Sequence, residues 1–570
     1  MKIRNIFYIG LLFLISTLGF AQEIYLAGNG VTIIAGPTAV TGNSYLLGGI
    51  NYMVVDNATI DAQVDAGNYN IVTTRVTDMS NQFKDKNTFN SDISHWDTSN
   101  VTNMDMMFSG AILFNQPIGI WDTSKVTSMF GTFFAAQNFN QPLGAWDTGE
   151  VTDMTSLFHG ADAFNQDVNN WNTSNVVTMT LTFGGAGVFN KPLNNWNTSN
   201  VVTMEKMFQN AGQFNQPLNN WNVSNVTNMS RMFSGAGNFN ENITTWDVSN
   251  VTDMSYMFYI ARKFNQPIGG WNTSSVTDMS FMFGKPNGGS DNIFNQDIGN
   301  WNVSNVINFR QMFRLATLFN QNLSNWNLSS AVNLVQMFDR ASGFNNGDAP
   351  GQSNNPLTWD TTSNVTGMST MFWGATSFNQ DISCFDTSSV TDMNQMFQGA
   401  TSYTQDLSSM GVPNIGAKPG NFDLGANAAF QNVAMHPRWG QAYSPKTVNI
   451  SINNETRTFG DGNFTVTATS DNGAIPIVYS IADNTIASIN SSSGEISIIK
   501  PGITTVTASQ DDGVCTSGSA NMTLTIKQLN VEIDVDDIIL TFGDPDYTIS
   551  ATSSVTDKAF TYTIVDGSIG

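Results

Sequence analysis

The sequence predicts an α/β repeat solenoid, with a short helix plus a short strand in each 25-residue unit, followed by all-β sandwich modules. Three observations predict this class. Tryptophan recurs at 96, 121, 146, 171, 196, 221, 246 and 271, a step of 25 each time, and a fixed period of this size marks a repeat array. Within each period the apolar residues fall at helical spacing and are followed by a short alternating run. After about Tyr443 tryptophan and the paired methionines vanish, and alternating Val, Ile, Thr and Ser take over.

With 570 residues the chain is too long for one core. Residues 1–21 read as an export signal: Lys2 and Arg4 open it, an apolar run follows from Ile6 to Phe20, and Gly19-Phe20-Ala21 offers a small-residue cleavage site. The run is too short for a good membrane span. No later stretch is long and apolar enough, so no membrane insertion is expected once the signal is removed. Residues 22–74 form an N-terminal capping region, and the repeats occupy 75–410.

One unit reads W-[DN]-x-S-x-V-T-x-M-x-x-M-F-x-x-A-x-x-F-N-Q-x-[IL]. In the unit that starts at Trp96, Val101, Met104, Met107, Phe108 and Ala111 make a helical stripe. Thr102 stands where an N-cap would, and Gly110 where the helix would end. Phe114 to Ile118 alternates and reads as a short strand, irregular at Pro117. The Asn after the second Phe recurs from Asn90 to Asn379 and gives way to Thr404 in the last unit. Such a residue can bond the backbone of its own and the next turn of the array, and its loss suits a terminal cap. A single unit buries too little to offset the cost of ordering it, so the units fold only when stacked. The phenylalanine column, the methionines and most of each Trp are therefore read as core. The competing reading of the Trp column is an exposed ladder that stacks on sugars, since Trp is often only partly buried.

Two insertions break the register, one at Lys285 to Asn292 and one at Asn346 to Asn355. A scaffold that tolerates an insertion without needing it is a place for function, the competing reading being neutral drift of a tolerated loop. Lys285, Pro286, Asn287 and Asp291 in the first, and Asn346, Asp348 and Gln352 in the second, are the candidate contact residues. Residues 411–441 close the array. From there, "VNISI", "NFTVTATS", "IPIVYSI" and "TTVTAS" are short strands between Gly, Asn and Asp turns, a sandwich pattern over 442–528. "TFGDGNFTVTATS" recurs as "TFGDPDYTISATS" at an offset of 83, so 529–570 is expected to be the front of a second, truncated module.

Catalytic chemistry is not visible. His95, His159 and His436 are the only histidines and are scattered. There is no HExxH, no G-x-S-x-G, no Cys-His pair and no phosphate loop. Asp97, Asp122 and Asp147 recur with the repeat and are expected to cap turns rather than to line a calcium stack, because the spacing lacks an oxygen-rich loop. No enzyme activity, no cofactor and no metal is expected. The net charge of −23 excludes nucleic acid and anionic surfaces as natural partners. Cys384 and Cys515 are expected to be isolated thiols.

"VTDMSYMFYIARKFNQPIGGWNTSSVTDMSFMF" resembles the 25/26-residue repeat of the BspA-like leucine-rich-repeat surface proteins, long carried as a domain of unknown function in Mycoplasma, Listeria and Bacteroidetes. The resemblance covers about Val76 to Met410. Gly49 to Ser80 resembles the lead-in such proteins place before the first repeat, and "HPRWG" resembles their closing segment. It implies a leucine-rich-repeat-like, right-handed solenoid at the cell surface. The C-terminal part resembles bacterial immunoglobulin-like modules used as stalks. Together these imply a secreted, cell-surface protein acting in adhesion or ligand binding, with an extracellular protein or glycan as partner. The alternative is a non-catalytic polysaccharide-binding region of a larger secreted enzyme.

Overall fold

The computed structural model describes residues 22–288, 291–359, 361–442, 446–471, 476–511, 516–554, 559–563 and 565. The signal expected at 1–21 lies outside them. The chain divides into two compact units, 1–443 and 444–570.

The first unit opens with β1 (Ile24–Leu26) and β2 (Ile33–Ala35), paired antiparallel, and a three-stranded sheet of β3 (Ser44–Leu47), β4 (Ile50–Asp56) and β5 (Ile71–Arg75). Gly48 and Gly49 turn β3 into β4, both at positive φ (60° and 88°), the geometry a two-residue hairpin needs. Between β4 and β5, which run parallel, α1 (Ile60–Asp65) buries Ile60 and Val64. It is the only α-helix among the described residues.

Among the described residues the repeats that follow contain no α-helix, only one 3-10 turn at Ile268–Gly270. One residue from each unit forms a parallel bridge with its equivalent in the next, from Asp78–Asn103 to Gly367–Asp392. The stretch expected to be helical is a ribbon of turns. In the unit of Trp96 the amides of Met104, Met106, Phe108 and Gly110 donate to the carbonyls of Ser128, Phe130, Thr132 and Phe134 in the next unit. The alternate amides of Met107, Ser109 and Ala111 donate three residues back, to Met104, Met106 and Phe108. An α-helix would bond four residues back and admit no left-handed residue. Here Met106 and Gly110 sit at φ 53° and 69°, and the pair recurs four residues apart along the array. Thr102 caps nothing: its amide crosses to Thr77 O at 2.8 Å. Phe114 to Ile118 pairs with no strand either. The expected short helix plus short strand is thus replaced by turns stacked on turns.

The apolar stripe itself is as expected. Val101, Met104, Met107, Phe108, Ala111 and Phe114 are fully buried. Phe108 stacks on Phe114 at 4.1 Å within its unit and on Phe133 at 5.5 Å in the next. The column ends where Phe430 meets Phe397 and Tyr403 edge-on. There β6 (Gly411–Val412) pairs parallel with β7 (Arg438–Trp439) in the closing segment.

The second unit is built of strands. β8 (Lys446–Thr447), β10 (Glu455–Thr458), β13 (Val478–Ile481), β16 (Gly502–Asp511) and β17 (Thr516–Lys527) form one sheet, in which β8 and β10 run parallel to β17. β11 (Phe464–Thr465), β14 (Ala487–Ile489) and β15 (Glu495–Ile498) form a second, and β9 (Ile450–Ile452) pairs with β12 (Ala468–Ser470). Val506 and Ala508 on β16 and Met522, Leu524 and Ile526 on β17 alternate inward to a shared core. These pairings do not establish the immunoglobulin class. Beyond β17 the described residues hold one pair, β18 (Ile533–Val535) with β19 (Ala551–Ser553).

Candidate functional site

The Trp column is core, not platform. From Trp96 to Trp359 each indole is at most 4% exposed. Trp146 Nε1 donates to Ile118 O at 3.1 Å and Trp171 Nε1 to Leu143 O at 2.9 Å, so the preceding unit satisfies their polar edges, while Trp121 Nε1 is buried without a partner among the described residues. Buried indoles cannot stack on sugars. The recurrent Asp residues cap turns as expected: Asp97, Asp122 and Asp147 each accept from the backbone amide two residues on. Among the described residues no three His, Cys, Asp or Glu side chains gather as a metal site. No described helix is long and apolar enough to cross a membrane. Cys384 is not a free thiol, against expectation, and Cys515 lies outside the described residues.

The two insertions are tied to the array rather than loose. In the first, Lys285 is buried and pairs with Asp291, whose carboxyl is held below its usual range by that bond. Asn292 is buried and donates to Phe283 O at 2.9 Å. Pro286, Asn287 and Asp291 are exposed. In the second, Asn346 is buried and spans Leu323 N (2.7 Å), Ser324 Oγ (2.8 Å) and Asn355 O (2.8 Å). Asp348 accepts from the amides of Asn354 and Asn355 and from Gln380 Nε2. Gln352 has an exposed side chain and a carbonyl bonded to Asn345 and Gln380. Lys285 and Asn346 are therefore structural.

The consensus hides a different surface. The ribbon's variable positions carry Arg231, Tyr256, Tyr259, Phe281 and Arg314, all half-buried. The Arg231 guanidinium lies 3.9 Å over the Tyr256 ring, and Tyr256 stacks on Phe281 at 4.2 Å and 8°. Tyr259 stands edge-on to both. Burial pushes its phenol above the usual range, against the opposing pull of Arg314. Arg314 ties this surface to the first insertion, through Lys285 O at 2.9 Å and Asn287 Oδ1 at 2.8 Å. Arg314 is already held by the buried Asp339 carboxylate at 2.9 Å, so it is the aromatic faces beside the Arg231 guanidinium that can stack on planar groups and pair with anions. Reading the repeat for its consensus missed these residues. Their signal is departure from it, at the x positions of M-x-x-M-F-x-x-A.

A family model matches the array in four overlapping stretches, residues 50–150, 132–244, 229–349 and 348–427. The chain belongs to that family, described as Mycoplasma protein of unknown function, DUF285. It is a family of repeat proteins, and the match stops before the second unit. No curated protein and no solved structure matches the chain.

Proposed function

We propose that the protein is a secreted or cell-surface binding protein that acts in adhesion or ligand capture through its repeat array, with the C-terminal β unit as spacer. The observation that carries this reading is the cluster of Arg231, Tyr256, Tyr259, Phe281 and Arg314. Partly buried aromatic rings and guanidinium groups gather on variable positions of a scaffold whose constant apolar positions are core. Export rests on Lys2, Arg4 and the apolar run from Ile6 to Phe20. Kinship with the BspA-like surface proteins rests on the repeat motif. The polysaccharide-binding alternative loses its main support with the burial of the Trp column. The test is a screen of residues 22–441 against glycans and host-matrix proteins. Arg231→Ala with Tyr256→Ala should weaken any binding found by about tenfold or more. An unchanged affinity places the binding elsewhere.

A further inference from the structure

The asparagine ladder carries amide donors that, among the described residues, have no acceptor over most of its length, and one insertion shows what they donate to. In every rung the Asn Oδ1 accepts from the backbone amide of the next rung: Asn215 N to Asn190 Oδ1 at 2.9 Å, Asn240 N to Asn215 Oδ1 at 2.8 Å, Asn379 N to Asn345 Oδ1 at 2.8 Å. This fixes the side chain and turns Nδ2 away from the stack. At rungs 320, 345 and 379 the second insertion takes those donors. Asn320 Nδ2 donates to Asp348 O at 2.8 Å, Asn345 Nδ2 to Ala349 O at 2.5 Å and Gln352 O at 3.0 Å, and Asn379 Nδ2 to Gly351 O at 2.8 Å. Gln380 Nε2 adds a bond to Gln352 O at 2.9 Å and one to the Asp348 carboxylate at 3.1 Å. A segment of this chain's own backbone therefore lies on three successive rungs as a ligand would.

Rungs 190, 215 and 240 have the same Oδ1 bonds and, among the described residues, no acceptor for Nδ2. They line an open groove of about 480 Å³ with Gln213, Asn238 and Lys263. Lys263 is exposed and, among the described residues, without an ion-pair partner. Beside Gln213 and Asn238 in the chain stand Gly212 and Gly237, where an added Cβ would meet nothing within 4 Å and no positive φ demands glycine. The fold does not require these glycines.

We infer that this groove binds an extended peptide segment that lies across the rungs as residues 348–352 do, its main-chain carbonyls accepting from Asn190, Asn215 and Asn240 Nδ2 and a carboxylate meeting Lys263. The ladder presents donors only, since its Oδ1 atoms are already engaged, and peptide carbonyls are pure acceptors. Sugar hydroxyls both donate and accept, and bind best against an aromatic platform, which the ladder lacks. The inference concerns a surface apart from the aromatic cluster and does not rest on it.

The probe is a fluorescent synthetic peptide with the sequence of residues 347–354, GDAPGQSN, titrated by anisotropy into the full chain. A diazirine-bearing copy locates the site. Asn215→Asp with Asn240→Asp keeps the Oδ1 acceptor of each rung, removes the Nδ2 donor and replaces it with a charged carboxylate oxygen. The double variant should melt as the parent does and bind the peptide about tenfold more weakly or worse. A second variant with residues 347–354 deleted bares rungs 320, 345 and 379 and should gain a second peptide site. Cross-links at 190–263 in the parent support the inference. An affinity that ignores the Asp substitutions, no peptide binding at all, or oligosaccharide binding in its place overturns it. A positive peptide result with a silent glycan and matrix screen would leave this inference standing and the proposed function without support.

Discussion

Thr370 shows how a residue can hide the local fold. It sits at φ 52°, the left-handed region that a β-branched side chain enters only at a cost. The same place in other units holds Met106, Ser156, Leu181, Lys206, Arg231, Tyr256 and Gln395, and only once a glycine, Gly131. A left-handed residue usually announces itself as Gly or Asn, so this position carried no warning of the turns, although Gly110 and its equivalents four residues on did. The conformation persists because the flanking amides are bonded on both sides; Thr370 N reaches Asn394 O at 2.8 Å. Thr370→Gly separates ribbon from helix. In a helix it would cost about 0.3 kcal/mol, since threonine is already a poor helix former. In the ribbon the relief of strain offsets the entropy of glycine, and stability should stay level or rise by up to about 1 kcal/mol. Denaturant unfolding of the variant decides between them.

At the scale of the element, the helical reading failed for an identifiable reason. Turns that close every three to four residues place side chains at nearly the spacing of a helix, so the apolar stripe from Val101 to Ala111 is common to both. What differs is the backbone: alternate amides cross to the next unit, which no pattern of side chains reveals. The core, by contrast, was legible residue by residue, because burial selects the side chain directly. The Asn ladder was legible too, since only its acceptor role explains one amide per unit. The aromatic cluster was not, because it occupies positions at which the consensus is silent. Phe258 tests the core column. It is buried, stacked on Phe264 at 3.8 Å and flanked by Phe233 and Phe283 at 5.8 Å each. Phe258→Ala should cost about 3–5 kcal/mol. The loss should appear in hydrogen exchange as local opening of the units around residues 233–283, because each unit bonds only its neighbours. Uniform exchange with no change in melting would contradict the column.

For the whole molecule, acid and truncation probe different parts. Burial pushes His95, His159 and His436 below the ordinary histidine value, with Lys206 lowering His159 further and Lys418 lowering His436 further. Asp92 and Tyr69 O oppose the shift at His95, and Asp423 and Phe430 O oppose it at His436. Above about pH 6.5 these rings are neutral in both states and cost nothing. As the pH falls below that value the unfolded chain takes up protons first, and stability drops until the folded rings titrate as well. The melting temperature of the array should therefore be lower at pH 5.5 than at pH 7.5 (about one unit either side of the ordinary value), and His159→Gln should reduce the drop. A flat profile across that range would mean that the rings are as easily protonated folded as unfolded. Residues 529–570 call for a different experiment. Their described part holds only the β18–β19 pair, with Ile539, Phe542 and Val565 almost fully exposed. Two short strands do not make a core in water. Cut from the chain, this segment should show no cooperative transition by circular dichroism, or should associate through its unpaired edges. The chain without it should unfold as before, since the core of β9 to β17 draws nothing from it. A monomeric fragment with a sharp transition would show that these forty-odd residues bury a core of their own.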